Sequence, residues 1–200
     1  ELVDGELPNK VYNTNDLTMT DYANTPTPDG LGWSALDIGR LLLSLRSLEG
    51  HTPELGPRIH SVLAGWNLDR VASKGLLYGS TRREDGLELH QEGRIGYEQY
   101  AARAAAMFGL DAIHAASANR ILNWKTIYGV DVPVDRRTSA RFGTVTPVLS
   151  EPYILMALEM GLDDESRLFL ERVFLAQEQR FKETDHYAVV SEDHIDVAPH

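Results

Sequence analysis

The chain has 200 residues, of which 42% are hydrophobic and 24% are charged, proportions typical of a globular protein with a packed core. Its formal net charge of -11 disfavours nucleic acid and anionic membrane surfaces, because both demand clustered positive charge. There is no cysteine for disulfide or thiolate chemistry, and the seven histidines show no zinc-motif spacing. We therefore expect no metal and no cofactor. The negative charge is compatible with an uncharged ligand.

The first half of the chain predicts turns, two helices and a hairpin. Residues 1–29 are rich in Asn, Asp, Thr, Pro and Gly, and they predict short extended pieces and loops. From Trp33 to Leu48 the apolar residues recur at helical spacing nearly all round, which predicts a mostly buried helix. An amphipathic helix is predicted from Pro53 to Gly65. Apolar and polar residues alternate on both sides of Asp85-Gly86, which predicts strands near 75–80 and 86–90.

The second half predicts further helices around one long loop. Alanine-rich sequence after Tyr97 favours a helix that Gly109 ends, and Asp111 then caps a predicted helix reaching Asn123. Residues 124–147 are expected to be irregular. An apolar helix after Ser150 and a charged amphipathic helix to Phe181 follow, and "YAVV" at 187–190 is predicted to start a strand.

The helices fall into three pairs, each with a buried helix before a more amphipathic one. This order predicts an all-α fold of (α/α) toroid-like helical hairpins, half of an (α/α)6 barrel, with one small β-hairpin. Residues 1–200 would then form a single partial domain that continues in a missing or separate segment. The expected protein partner is the remaining half of the domain or a second copy of the chain, because half a ring leaves an apolar seam exposed.

Carboxylates recur where the buried helices are predicted to begin. Asp37, Glu92 and Glu98 are the candidate catalytic acids, since glycosidic cleavage needs one group to protonate the leaving oxygen and another to activate water or attack. Each has a structural alternative. Asp37 and Ser34 fit a capping box, and Glu98 can pair with a nearby arginine, Arg94 or Arg103.

Aromatic residues accompany these acids and suggest a surface for sugar rings. Trp33 can stack on a sugar or fill the core, and the core is the stronger interpretation. A cation at "EDHID", residues 192–196, is less plausible than a solvated loop. The remaining candidate substrate-binding residues are Tyr97, Tyr100, Arg94, Glu151 and Tyr153.

Three blocks, "LPNKVYNT", "GLGWSALDIGRLL" and "EGRIGYEQYAA", resemble a bacterial envelope-associated family, domain of unknown function 3131. That family is similar in turn to glycoamylase-like (α/α)6 glucan-active enzymes. The resemblance implies a longer helical domain and a periplasmic or secreted setting, and it assigns no catalytic residue.

Together these observations predict a carbohydrate-active enzyme, of glycoside hydrolase or transglycosylase type, acting on a bacterial envelope or extracellular glucan. The expected ligand is a poly- or oligosaccharide. The alternative is a non-catalytic glycan-binding module for polysaccharide assembly or export, because binding can dispense with paired acids whereas hydrolysis cannot.

Overall fold

The computed structural model describes residues 1–138, 141 and 148–186. Five α-helices and two antiparallel sheets form the regular structure of these residues, which is 42% helical and 19% strand. The helices are α1 Ala35–His51, α2 Gly56–Leu63, α3 Tyr97–Ala106, α4 Glu151–Glu159 and α5 Asp164–Thr184. The strands are β1 Ala72–Ser73, β2 Leu76–Arg83, β3 Gly86–Gln91, β4 Leu122–Ile127 and β5 Val130–Asp135.

The all-α toroid prediction is wrong, because the fold is a mixed α/β one. The predicted helix from Asp111 to Asn123 is replaced by turns and one short 3-10 segment, and β4 and β5 occupy part of the predicted long loop. Tyr128 and Gly129 join these strands with φ of 50° and 73°. Two successive left-handed residues make the tight turn that matches strand twist, and Val, Ile, Thr and Trp around it favour strands over irregular chain.

Several predicted elements are confirmed. α1, α3, α4 and α5 lie where helical spacing placed them, and β2 and β3 pair around Asp85 as the hairpin pattern indicated. α1 is less buried than expected, since Leu41 is 39% exposed and Leu48 is 42% exposed. The predicted strand at 187–190 lies outside the described residues.

The chain divides into two compact units. The first comprises Glu1–Gly93 and Tyr97–Ser117, and the second comprises Arg94–Gly96 and the chain from Ala118 onward. Among the described residues, no helix is long and apolar enough to cross a membrane.

In the first unit, α1 and α3 pack closely through small residues. A Cβ added to Gly39 would lie 2.8 Å from the Cβ of Ala101 and 2.9 Å from its Cα. Ala101 is fully buried, as are its neighbours along the same helix, Ala102, Ala104 and Ala105. Glycine facing alanine lets the two backbones approach more closely than larger side chains would allow, so α1 is fixed against α3.

The segment that leads into α1 runs along strand β2. The Ser80 N–H donates to the Trp33 carbonyl at 2.9 Å, and the Arg82 N–H donates to the Leu31 carbonyl at 2.7 Å. The other edge of β2 pairs with β3, where Tyr78 lies opposite Gln91. β2 therefore brings the end of β3 close to the start of α1.

In the second unit, β5 packs against α5, and α5 also contacts α4. Phe169 of α5 makes edge-to-face contacts with Trp124 and Tyr153, each with ring centroids 5.9 Å apart. Asp163 caps α5 by accepting from the Ser166 N–H at 2.8 Å. These contacts join both helices and the hairpin in one core.

Candidate functional site

The carboxylate of Glu92 lies at the N-terminus of α1. Glu92 follows β3 directly, and its own N–H donates to the Leu77 carbonyl at 3.0 Å, which continues the pairing with β2. Its Oε2 accepts a hydrogen bond from the Ala35 N–H at 2.5 Å, and the Ser34 hydroxyl also donates to the carboxylate. The first N–H groups of a helix have no partner within it, so this acid fills a position that favours negative charge.

Gly79 provides the space that the Glu92 side chain occupies. A Cβ at Gly79 would lie well under 3.0 Å from Oε2 and 2.9 Å from Cδ of Glu92. The same point is 3.2 Å from Nε2 of His90, the residue paired with Gly79 across the hairpin. A glycine in β2 therefore brings a carboxyl group and an imidazole side by side.

Burial raises the pKa of the Glu92 carboxyl, and this is the largest influence on it. Hydrogen bonds from Ala35 and Ser34 lower the pKa, as do the charges of Lys10 and His90, but their combined effect is smaller. A carboxyl whose pKa is raised keeps its proton to higher pH, which is the property that a general acid needs.

Asp37 lies in the first turn of α1, and its side chain is exposed. The Ser34 hydroxyl accepts from the Asp37 N–H at 3.1 Å, so the predicted serine N-cap is confirmed. Ser34 thus contacts the Glu92 carboxylate through its hydroxyl hydrogen and the Asp37 backbone through its oxygen. The cap leaves the Asp37 side chain at the surface in the first turn of α1.

Two residues that sequence reasoning missed join this acid pair. Burial lowers the pKa of the Lys10 ammonium, while the charges of Glu92 and Asp37 raise it. Desolvation of its hydroxyl, followed by the charges of Asp37 and Glu92, raises the pKa of Tyr22. Lys10 also donates from Nζ to the Thr81 hydroxyl at 3.5 Å. We call Glu92, Asp37, Lys10 and Tyr22 the acid cluster.

Glu98, the third candidate acid, is 1% exposed. It lies in the first turn of α3, as the sequence predicted, and its Oε1 accepts from Gln91 Nε2 at 3.1 Å. Gly93 approaches it so closely that a Cβ there would lie 2.8 Å from the Glu98 Cβ. This carboxyl is therefore held inside the first unit, whereas Asp37 is at the surface.

Most of the candidate aromatic residues are core residues. Trp33 is fully buried, and its indole N–H donates to the Tyr78 carbonyl at 3.2 Å while the Arg70 guanidinium lies 5.3 Å from its ring centroid. Tyr100 is 3% exposed, and Tyr97 is half-buried. A ring enclosed on all sides offers no face to a sugar, so Trp33 and Tyr100 are placed for packing.

The other candidates belong to the second unit. Tyr153 is 3% exposed, and burial together with the charge of Glu165 raises the pKa of its hydroxyl. Arg94 and Glu151 are half-buried. In the described ranges no group of three or more His, Cys, Asp or Glu side chains is arranged to hold a metal ion, and residues 192–196 lie outside them.

The acid cluster combines groups that serve general acid-base chemistry: a carboxyl biased toward its protonated form, an exposed carboxylate and an ammonium. No curated protein and no solved structure matches the chain. A family model does match, over residues 1–200, and it covers the helix entry and the hairpin that build this cluster. The chain therefore belongs to the family of proteins of unknown function designated DUF3131.

Proposed function

We propose that this protein is a carbohydrate-active enzyme of glycoside hydrolase or transglycosylase type, acting on a bacterial envelope or extracellular glucan. The observation that carries the proposal is that two carboxyl groups lie at the start of α1: Glu92, whose pKa burial raises and which accepts from the Ala35 N–H, and the exposed Asp37 of the first turn. The proposed setting is periplasmic or secreted, as the resemblance described in the sequence analysis implies. Because the fold is a mixed α/β one and not an all-α toroid, the proposal depends on the acid cluster alone.

In the proposed reaction Glu92 donates its proton to the glycosidic oxygen as the bond to the anomeric carbon breaks. Asp37 takes a proton from the attacking water or acceptor hydroxyl, whose oxygen forms the new bond to that carbon. The charge of Lys10 interacts with both carboxyl groups, and it stabilises the carboxylate that Glu92 leaves after proton transfer. Glu98, being enclosed, is assigned a supporting role.

The hydrogen bonds that Glu92 makes at the start of α1 favour a second candidate function, glycan binding without catalysis. Its carboxylate accepts from Ala35 and Ser34, so it contributes to capping α1 whether or not the protein is an enzyme. A non-catalytic glycan-binding module for polysaccharide assembly or export would use the same surface without proton transfer.

Screening the protein against bacterial exopolysaccharides and β-glucans, with reducing-sugar release as the readout, tests this proposal. Glu92→Gln keeps an acceptor for Ala35 but cannot donate a carboxyl proton, so turnover should fall by about 10²–10⁴-fold while glycan binding persists. Asp37→Asn should also lose turnover, and Asp111→Asn, at an exposed acid outside the cluster, is the matched control. Binding without cleavage by the wild type would favour the glycan-binding module instead.

A further inference from the structure

Tyr22 is the most conspicuous apolar side chain on the surface. It is 80% exposed, more than any other large hydrophobic side chain in the part of the chain that the structure describes. A single exposed aromatic residue is common on protein surfaces and needs no explanation by itself. Tyr22 differs from such residues because a hydrogen-bonded loop holds it and because that loop lies beside the segment before α1.

A firmly built loop carries Tyr22. The carboxylate of Asp21 accepts from the Ala23 N–H at 2.9 Å and from the Thr25 N–H at 2.7 Å. Thr20, which is fully buried, forms a bridge with Pro26 across the base of the loop. Side-chain hydrogen bonds to the backbone on both sides of the ring limit the loop's freedom, so little further entropy is lost when a ligand binds.

The loop is anchored beside the segment that leads into α1. The Thr27 N–H donates to the Met19 carbonyl at 2.9 Å, and the Gly30 N–H donates to the Thr27 carbonyl at 2.8 Å. Gly30 lies against Met19, since a Cβ added there would be 3.2 Å from the Met19 sulfur. From Gly30 the chain continues to the helix that carries Asp37.

Backbone hydrogen bonds place this loop beside the segment that carries Lys10. The Thr20 N–H donates to the Val11 carbonyl at 3.2 Å, and the Lys10 N–H donates to the Gly32 carbonyl at 3.0 Å, just before α1. Burial, followed by the charges of Asp37 and Glu92, raises the pKa of the Tyr22 hydroxyl, in keeping with this placement. The Tyr22 side chain is left open to solvent at the border of the acid cluster. Trp33, the candidate aromatic residue in the segment before α1, is enclosed in the core.

We propose that Tyr22 is the platform on which a neutral pyranose unit stacks while its hydroxyl groups reach Asp37, Glu92 and Lys10. This inference rests on the proposed function, because it deepens the description of the same site. An aromatic face covers the apolar C–H surface of a sugar, and charged groups at its edge bind hydroxyls. Two carboxylates against one ammonium disfavour uronate sugars, so the ligand is an uncharged oligosaccharide.

Calorimetric titration with cellotetraose, laminaritetraose and an oligogalacturonate tests the platform. All variants are made in the Glu92→Gln background so that no sugar is cleaved. We expect binding of at least one neutral tetrasaccharide, about tenfold weaker binding by Tyr22→Ala, and binding within about twofold of the parent by Tyr22→Phe, which keeps the ring. Tyr128→Ala, at a 38% exposed tyrosine on the β4–β5 turn, is the matched control and should bind like the parent.

The outcomes separate this inference from the enzymatic proposal. Tyr22→Ala binding as tightly as the parent, or Tyr22→Phe losing as much as Tyr22→Ala, would show that the ring is not a platform even if the wild type cleaves glucans. Binding of neither neutral sugar, or tighter binding of the oligogalacturonate, also overturns it. If binding depends on the Tyr22 ring but the wild type cleaves no sugar, the platform proposal is supported and the enzymatic proposal is refuted.

Discussion

Replacing Gly79 with alanine tests whether the Glu92 carboxyl depends on the space that this glycine leaves. The new Cβ would lie 2.9 Å from Cδ of Glu92 and closer still to Oε2, so one of the groups has to move. Glu92 has the more flexible side chain, and we expect its carboxylate to withdraw from the Ala35 N–H. His90 Nε2, 3.2 Å from the same point, limits movement toward that side.

The size of the effect follows from two opposed contributions. Loss of the hydrogen bond to Ala35, a buried residue at the helix start, costs about 1–3 kcal/mol. Replacing glycine by alanine in a strand stabilises the folded state by about 0.5–1 kcal/mol, because it reduces the conformational freedom of the unfolded chain. Gly79→Ala should therefore lower the free energy of unfolding by about 1 kcal/mol in the wild type, and by no more than about 2.5 kcal/mol.

In a Glu92→Ala background the carboxylate is gone and the new methyl group has room. Gly79→Ala should then become stabilising by about 0.5–1 kcal/mol, so the substitution changes sign. Urea unfolding followed by tryptophan fluorescence, with all four members of the cycle, measures the coupling directly. If the changes in unfolding free energy of the two single variants add to that of the double variant within about 0.5 kcal/mol, the Glu92 side chain does not depend on the space at Gly79.

Two further predictions concern the carboxyl groups of Glu92 and Asp135. Because the pKa of Glu92 is raised in the folded protein, the folded state holds the proton more tightly, and stability should fall as pH rises from the ordinary glutamate value toward the raised one. Urea midpoints from about pH 4 to about pH 8 should show that decline weakened in Glu92→Gln, and equal slopes would contradict the assignment. In the second unit, the Asp135 carboxylate accepts from the Ile95 N–H, and its Oδ2 lies 2.6 Å from Nη2 of Arg137. Because Asp135→Ala leaves the guanidinium without this partner, it should lower the free energy of unfolding by about 3–5 kcal/mol. Asp131→Ala, at an exposed position of the same strand, should cost under about 1 kcal/mol in the same unfolding assay, and comparable losses would argue against a buried ion pair.

Local signals in the sequence determined much of the secondary structure. Helical spacing from Trp33 onward and Ser34 ahead of Asp37 predicted α1 and its cap, because these depend on residues three or four positions apart. The hairpin around Asp85 and the alanine-rich α3 were predicted for the same reason. The β4–β5 hairpin was missed since its turn is Tyr128-Gly129, where a tyrosine takes the left-handed conformation that usually marks Gly or Asn.

The sequence singled out three acids near helix starts without showing how their surroundings differ. Asp37, Glu92 and Glu98 were chosen for their position near helix starts, yet one is exposed, one is half-buried and one is enclosed. Burial sets the pKa of a carboxyl, and burial results from packing between segments that are distant along the chain. Spacing alone therefore could not assign their roles.

What only the tertiary structure decided is the acid cluster itself. Pairing of β2 with both β3 and the segment before α1 brings Glu92 to Ala35, which is 57 positions away in sequence. The same fold encloses Trp33, as the sequence favoured, and leaves Tyr22 at the surface. Composition cannot reveal this difference, because both are aromatic residues near a turn. Sequence patterns report neighbours along the chain, whereas a site is made of neighbours in space, and the strand pairing supplies these.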